Sequence, residues 1–230
     1  MGKFFTGFVH VVKHIMKPFF PVKWYGPRKF EQKRTILVGN HISGWDPVVF
    51  SIWCRTPVSF MYKAEFQKSC FLRAVFNGLD FIPVHRGEVD IAATKRTLKL
   101  LKQEKIVALF PEGTRSPDVD KMLPLKTGAA LFAIRTKTPI RPYYIWEKAK
   151  LFRKNYYYVG DEFTLEQYYD QPITKEMLAE ATEIIAEKMT EVREKMLAIL
   201  QEKGIKRRKR TKKELKKLEE FRKQQEESQQ

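Results

Sequence analysis

The sequence is poor in cysteine and has no long apolar run, and each shortage excludes a class of protein. Only two of its 230 residues are cysteines, Cys54 and Cys70, so at most one disulfide can form, and we expect both thiols to be reduced in the cytosol. No window of 18 apolar residues occurs, which argues against a transmembrane helix. There is no Cys-x2-Cys cluster, and we expect no metal or other cofactor. Nucleotide loops rich in glycine and a Gly-x-Ser-x-Gly elbow are also missing, which disfavours nucleotide-binding proteins and serine hydrolases.

Positive charge is what the chain has in excess, with a formal net charge of +17 at pH 7. The two ends carry most of it: residues 1–35 contain eight Lys and Arg against one Glu, and residues 203–230 contain twelve against five. The stretch between them is nearly balanced. Cationic ends imply an anionic partner, which could be a lipid surface, a nucleic acid or an acidic protein.

Length and composition predict one domain with extensions at both ends, since 43% of the residues are hydrophobic. We place an amphipathic membrane-association segment at residues 1–34, the folded domain at 35–204, and a basic, flexible tail at 205–230. The tail has too few apolar residues to build a core of its own.

Residues 3–20 predict an amphipathic helix that lies in a membrane interface. Its apolar face carries Phe4, Phe8, Val11, Val12, Ile15 and Phe19, and its cationic face carries Lys3, His10, Lys13, His14 and Lys17. The alternative is a helix that packs on the protein's own core. The membrane interpretation predicts a peripheral protein on the cytoplasmic side of the cell membrane, held there by anionic lipids.

The middle of the chain alternates short apolar runs with helical patterns. This alternation predicts an α/β sandwich with a mostly parallel or mixed central sheet flanked by helices. The proline in the run 81–84 predicts an edge strand or a strand end. The predicted strands are 36–38, 58–62, 81–84, 106–110, 140–146 and 156–159, and the predicted helices are 47–53, 90–102, 127–135 and a long one that begins after Thr174.

His41 and Asp46 directly follow the first of these strands, and Asp46 is also well placed to cap the predicted helix 47–53. A histidine removes a proton from a hydroxyl near neutral pH if its ring is held in one tautomer, and a nearby carboxylate can hold it by accepting the other ring N–H. No nucleophile of the chain accompanies the pair. The pattern therefore predicts that the substrate brings the hydroxyl, although such a pair can also be two loop residues without chemistry.

A second polar motif, Phe110 to Ser116, follows the strand 106–110 about seventy residues later. Its arginine, Arg115, can bind a phosphate through two hydrogen bonds, and Gly113 lets the backbone approach closely. The alternative is a polar turn with one solvated arginine.

The two motifs, in this order, resemble those of the glycerolipid acyltransferase family, and specifically its PlsC-like members, the 1-acyl-sn-glycerol-3-phosphate (lysophosphatidic acid) acyltransferases. The resemblance runs from about Thr35 to Tyr144. Residues 78–86 resemble another family motif, Lys63 matches a family lysine, and residues 138–143 resemble a segment framed by two prolines. Arg141 departs from the apolar pattern of that segment, which bears on specificity and not on the family.

The resemblance implies an O-acyltransferase that uses an acyl carrier protein or coenzyme A thioester. It would acylate the 2-hydroxyl of lysophosphatidate and give phosphatidic acid for phospholipid synthesis, with His41 as general base, Asp46 as its orienting group and no acyl-enzyme. The resemblance also implies the substrate-binding residues: Lys63, Arg86 and Arg115 would hold the acceptor phosphate, and Glu112, Gly113 and Thr114 would shape its pocket.

Two alternatives remain open at this point. The acceptor could be glycerol-3-phosphate, another lysophospholipid or a lyso-aminolipid, and Lys63 and Arg86 could instead form surface ion pairs. The basic tail could also belong to a non-enzymatic protein that binds RNA or anionic lipid, although we expect no nucleic acid partner because that function would leave both motifs unused.

Overall fold

A seven-stranded sheet forms the centre of the molecule. The structure, a computed structural model, describes residues 3–30, 34–85, 90–119 and 121–227. Within these residues the strand order is β1-β7-β6-β2-β5-β3-β4. The strands are β1 (Val22–Tyr25), β2 (Thr35–Gly39), β3 (Val58–Lys63), β4 (Ile82–Val84), β5 (Ile106–Leu109), β6 (Ile140–Ile145) and β7 (Asn155–Val159).

Helices cover both faces of this sheet. Side chains of β2, β5 and β6 point alternately to the two faces, so each face has its own core. One core packs against α2 and the other against α4, α5 and α6. The helices are α1 (Lys3–Met16), α2 (Asp46–Trp53), α3 (Cys70–Gly78), α4 (Ile91–Lys102), α5 (Gly128–Thr136), α6 (Lys175–Glu202) and α7 (Lys212–Glu227).

The sheet is mixed, because β6 and β7 are antiparallel while the other described neighbours are parallel. The predicted α/β class with a mostly parallel or mixed sheet is confirmed. The proline-containing strand β4 lies at the edge of the sheet, where a missing backbone N–H costs no ladder hydrogen bond.

The sheet begins earlier in the chain than the sequence predicts. Strand β1 pairs in parallel with β7, from Val22 opposite Asn155 to Tyr25 opposite Tyr158. Its Trp24 is buried and stacks on Tyr157 at a centroid distance of 5.9 Å. Residues 22–25 therefore belong to the folded domain, which the predicted boundary at residue 34 had left outside.

Helix α1 packs against the end of α2 through its cationic side. Lys13 Nζ donates to the Cys54 carbonyl at 3.2 Å, and Lys17 Nζ lies 5.8 Å from the centre of the Trp53 ring. On the opposite side of the helix, Val11 and Ile15 are 56% and 59% exposed. The helix thus contacts the protein, as the alternative interpretation predicted, and still leaves part of its apolar face in solvent. In the described ranges every helix is too short or too polar to cross a bilayer.

The basic tail contains a helix that the sequence analysis did not predict. Helix α7 places Leu218 in a buried position, and the Arg222 guanidinium donates twice to Asp118 Oδ2, from Nε at 2.9 Å and from Nη2 at 2.7 Å. Such long-range contacts cannot be inferred from the local composition.

Candidate active site

Two loops meet where β2 and β5 end. These strands are parallel neighbours, with Val38 opposite Leu109, so the loops that follow them emerge at the same edge of the sheet. In open α/β sheets, ligands bind at the carboxyl ends of the strands. The first loop carries His41 and the second carries Glu112 to Ser116. Hydrogen bonds join the loops, since Ser116 N donates to the His41 carbonyl at 2.8 Å.

The side chains of His41 and Asp46 are in contact. His41 Nδ1 lies 3.0 Å from Asp46 Oδ2, and that oxygen also accepts from the backbone N–H groups of Ile42 at 2.8 Å and Ser43 at 2.7 Å. A carboxylate accepts hydrogen bonds, so Nδ1 must carry the proton and Nε2 keeps its lone pair. The arrangement can therefore remove a proton from a hydroxyl that approaches Nε2.

Asp46 does not cap α2, contrary to expectation. The helix begins at Asp46 itself, and its side chain turns back to the loop that precedes it. Asp46 is fully buried, so the hydrogen bonds to its carboxylate offset the cost of burying a charge. The same bonds close the turn that presents His41.

The ring of His41 stacks on Phe110, the first residue of the second loop, at a centroid distance of 4.0 Å and an interplanar angle of 15°. The His41 side chain is 13% exposed, so it is accessible to a substrate and shielded from bulk water. Phe110 belongs to the second sequence motif, but nothing in the sequence predicted that its ring stacks on the imidazole of His41.

Glu112 faces the protein interior and braces the two loops. Its Oε1 accepts from His41 N at 3.4 Å, and its Oε2 accepts from Leu123 N at 3.2 Å. Burial raises the pKa of this carboxyl to about 7, although the N–H groups of Leu123 and His41 lower it in part. The geometry fits a positioning group for the His41 loop as well as the predicted part in the acceptor pocket.

The turn from Gly113 to Arg115 is exposed. Gly113 has φ +68°, a left-handed backbone conformation that favours glycine. The Arg115 guanidinium lies near Gly44 of the first loop, because a Cβ built there would be 3.5 Å from Nη1. The structure therefore brings Thr114 and Arg115 to the outside of the same edge that holds His41.

Lys63 and Arg86 are the other residues predicted to hold the acceptor phosphate. Lys63 is the last residue of β3 and is half-buried. Arg86 lies outside the described residues. Arg141, which breaks the apolar pattern of its motif, donates to the Gly160 carbonyl at 2.9 Å and pairs with Glu162 at 3.3 Å. The guanidinium of this β6 residue is thus held by contacts within the protein.

A cavity of about 240 Å³ adjoins His41, and its far wall comes from α6. Met189, Thr190 and Arg193 of that helix line it. Nothing in the sequence pointed to these residues, since they lie in an amphipathic helix without a motif and far from His41 along the chain. Among the residues that the structure describes, no group of three or more His, Cys, Asp and Glu could hold a metal ion.

The fold and this geometry define an α/β domain that presents an oriented histidine, together with an exposed arginine turn, at the carboxyl edge of its sheet. The chain belongs to the acyltransferase family, whose model matches residues 21–146.

Curated relatives and a solved structure agree with this family. The chain is 28% identical over 127 residues to the 1-acyl-sn-glycerol-3-phosphate acyltransferase of Borreliella burgdorferi, a match that spans 54% of this chain but only 50% of that protein. It is 29% identical over 183 residues to the protein of the same name from Bacillus subtilis, across 76% of this chain and 89% of the relative.

The crystal structure of the 1-acyl-sn-glycerophosphate (LPA) acyltransferase PlsC from Thermotoga maritima is similar with a TM-score of 0.60. The likeness covers 83% of this chain and 88% of that one at 21% identity. At this identity it demonstrates a shared fold.

Proposed function

We propose that this protein transfers an acyl chain from an acyl thioester to the 2-hydroxyl of 1-acylglycerol-3-phosphate and forms phosphatidic acid. The observation that carries the proposal is the contact of His41 with Asp46 beside the exposed Arg115 turn. The names of the relatives from Borreliella burgdorferi and Bacillus subtilis support the same reaction. Either an acyl carrier protein or coenzyme A could carry the thioester.

The reaction needs a base and no acyl-enzyme. His41 Nε2 takes the proton of the glycerol hydroxyl while its oxygen attacks the thioester carbonyl. The new C–O bond forms, the C–S bond breaks, and the proton passes from His41 to the leaving thiolate. Asp46 holds the ring and stabilises its imidazolium form, and such base catalysis typically contributes about 10²–10⁴-fold.

Cations hold the acceptor phosphate in this proposal. Arg115 is supported by its exposure at the site edge and by its closeness to Gly44, while Lys63 and Arg86 rest on the motif resemblance alone. Gly113 and Thr114 shape the turn, and Glu112 braces it from inside. Positioning of the two substrates supplies the rest of the rate enhancement.

The test is acyl transfer to a short-chain lysophosphatidate that stays monomeric, so that membrane attachment does not enter the measurement. The parent is expected to form phosphatidate, and His41→Ala is expected to form almost none. His14→Ala, an exposed histidine of α1, is the matched control and should retain the parent rate. Activity in a folded His41→Ala variant would contradict the proposed base.

The acceptor is tested with the same proteins. Glycerol-3-phosphate, lysophosphatidylcholine and a lyso-aminolipid are run beside lysophosphatidate at equal concentrations. We expect the highest kcat/KM with lysophosphatidate, because a phosphate monoester carries more charge for the arginine than a diester does. A higher kcat/KM for a phosphate-free acceptor would overturn the assignment of Arg115.

We also propose that α1 attaches the protein to the cytoplasmic surface of the membrane. Val11 and Ile15 of α1 and Phe19 just after it are exposed, and the excess of lysine and arginine at both termini favours anionic lipid. Vesicles of phosphatidylglycerol should bind the parent, and Ile15→Glu should weaken this binding about tenfold. The control is Ile91→Glu, an equally exposed residue of α4. Equal losses in both variants would argue against α1 as the attachment site.

A further inference from the structure

The cavity beside His41 contains a guanidinium that the proposed acceptor site does not use. Arg193 of α6 lines it, together with the apolar side chains of Ile42, Met122 and Met189. Asp118 and Lys121 line it as well. The cavity thus brings together a candidate base, apolar side chains and a guanidinium.

The hydroxyl of Tyr144, which also lines the cavity, holds this guanidinium beside a second one. It donates to the Val119 carbonyl at 3.2 Å and accepts from Arg207 Nη2 at 3.2 Å. Arg193 also hydrogen-bonds to Tyr144, so guanidinium groups from α6 and from the segment after it converge on one phenol. The Arg207 guanidinium further lies 5.7 Å from the centre of the Trp146 ring. Arg193 therefore lines the cavity directly, and Arg207 lies next to it through the Tyr144 hydroxyl.

Direct acyl transfer requires two substrates to meet at His41, and both of them carry phosphate. Arg115, the proposed partner of the acceptor phosphate, lies against Gly44 and does not line the cavity. The acyl donor is a thioester of phosphopantetheine whether its carrier is coenzyme A or a protein. That arm is narrow, has both apolar and amide groups, and ends in a phosphate.

We propose that this cavity is the donor site. The pantetheine arm lies along Met122 and Met189 with its thioester near His41, and its phosphate binds between Arg193 and Arg207. The inference rests on the proposed acyl transfer and adds which end of the site each substrate uses. Guanidinium groups suit this role because they bind phosphate oxygens through two parallel hydrogen bonds.

The first test compares donors with and without the phosphate. Arg193→Gln and Arg207→Gln should each raise KM for palmitoyl-coenzyme A and for the palmitoyl carrier protein about tenfold or more, the effect of one charged hydrogen bond. The KM for lysophosphatidate should stay within about twofold. With the palmitoyl thioester of N-acetylcysteamine, which has no phosphate, variants and parent should have equal rates.

Two further variants separate a binding role from a structural one. Lys209→Gln removes one charge from an exposed residue of the same segment and should match the parent. Arg193→Lys keeps the charge and should recover part of the donor affinity. An equal loss with both kinds of donor would mean that the arginines serve the fold only, and a raised KM for lysophosphatidate alone would assign this phosphate site to the acceptor.

Calorimetry with phosphopantetheine needs no turnover. It therefore distinguishes failure of this inference from failure of the proposed reaction. The parent should bind it, and Arg193→Gln should weaken binding about tenfold. If the parent acylates lysophosphatidate but the variants bind phosphopantetheine as the parent does, the cavity is not the donor site and the reaction stands. If no donor is turned over but phosphopantetheine binds in an arginine-dependent way, the reaction is wrong and the site stands.

Discussion

The loop after β2 and the loop after β5 lie side by side, yet they are built in opposite ways. In the first, Asp46 is fully buried and one of its oxygens is within hydrogen-bond distance of three N–H groups. In the second, Gly113, Thr114 and Arg115 are all exposed. The group that we expect to move a proton is held rigidly, whereas the groups that we expect to bind a phosphate remain open to solvent. A base needs one fixed geometry, while a binding turn must admit its ligand.

The largest expected effect comes from the rigid loop. Asp46→Asn keeps an acceptor for the three N–H groups but removes the negative charge that stabilises the imidazolium form of His41. We expect kcat to fall about a thousandfold with little change in KM for lysophosphatidate. Circular dichroism checks the fold, and Asp161→Asn, an exposed aspartate, is the control. A nearly unchanged kcat would mean that Asp46 serves only to close the turn.

The open turn should respond differently. Arg115→Ala removes a guanidinium that reaches solvent, so the fold should be unaffected while kcat/KM for lysophosphatidate falls about a hundredfold. The loss should be largely in KM. Arg135→Ala, an exposed arginine at the end of α5, serves as the control. If Arg115→Ala lowers kcat alone, the turn participates in the chemistry and the contrast between the loops breaks down.

Glu112 joins the two loops, and its charge state should change the stability of both. Because burial raises its pKa from 4.5 to about 7, the folded state binds more protons than the unfolded state between these values, and stability falls as pH rises through this window. Urea unfolding of the parent should lose about 2 kcal/mol from this source between pH 5 and pH 8.

Glu112→Gln cannot ionise and should lack that decline. Glu183→Gln, an exposed glutamate of α6, should follow the parent at both pH values. A variant at Glu112 that loses as much stability as the parent between pH 5 and pH 8 would show that this carboxyl has an ordinary pKa.

The smallest expected effect concerns Asp118, which follows the open turn and pairs with Arg222 of α7. Arg222→Ala removes the pair with Asp118, but the Arg222 side chain is 56% exposed and solvent screens the interaction. We expect less than about 1 kcal/mol in global stability. Hydrogen exchange should instead become faster in α7, while Lys223→Ala leaves it unchanged. Unaltered exchange after Arg222→Ala would mean that the pair with Asp118 does not hold the helix in place.

The sequence predicted those parts of the fold and of the site that depend on near neighbours. The strands from β2 to β7 were found from their apolar runs, and the contact of His41 with Asp46 spans only five residues. Each of these features is determined by a short segment of the chain.

What the sequence did not predict depends on distant partners. Strand β1 is only four residues long and exists because β7 pairs with it. Helix α7 contacts Asp118, which is distant along the chain, and the cavity wall at Arg193 depends on how α6 crosses the sheet. The sequence also did not predict that the Asp46 carboxylate turns back towards Ile42 and Ser43. An aspartate before a helix can either cap that helix or accept hydrogen bonds from the preceding loop, and the local sequence is the same in both cases.

The pairing of β1 with β7 has a consequence for how the chain folds during its synthesis on the ribosome. Val22 leaves the exit tunnel long before its partner Asn155 has been made, and at 5–20 residues per second this edge of the sheet waits on the order of ten seconds. During that interval α1 has no completed sheet beneath it. If α1 attaches to lipid as proposed, the nascent chain can do so before its domain closes, and the last strand to be synthesised then completes the sheet of a chain that is already bound.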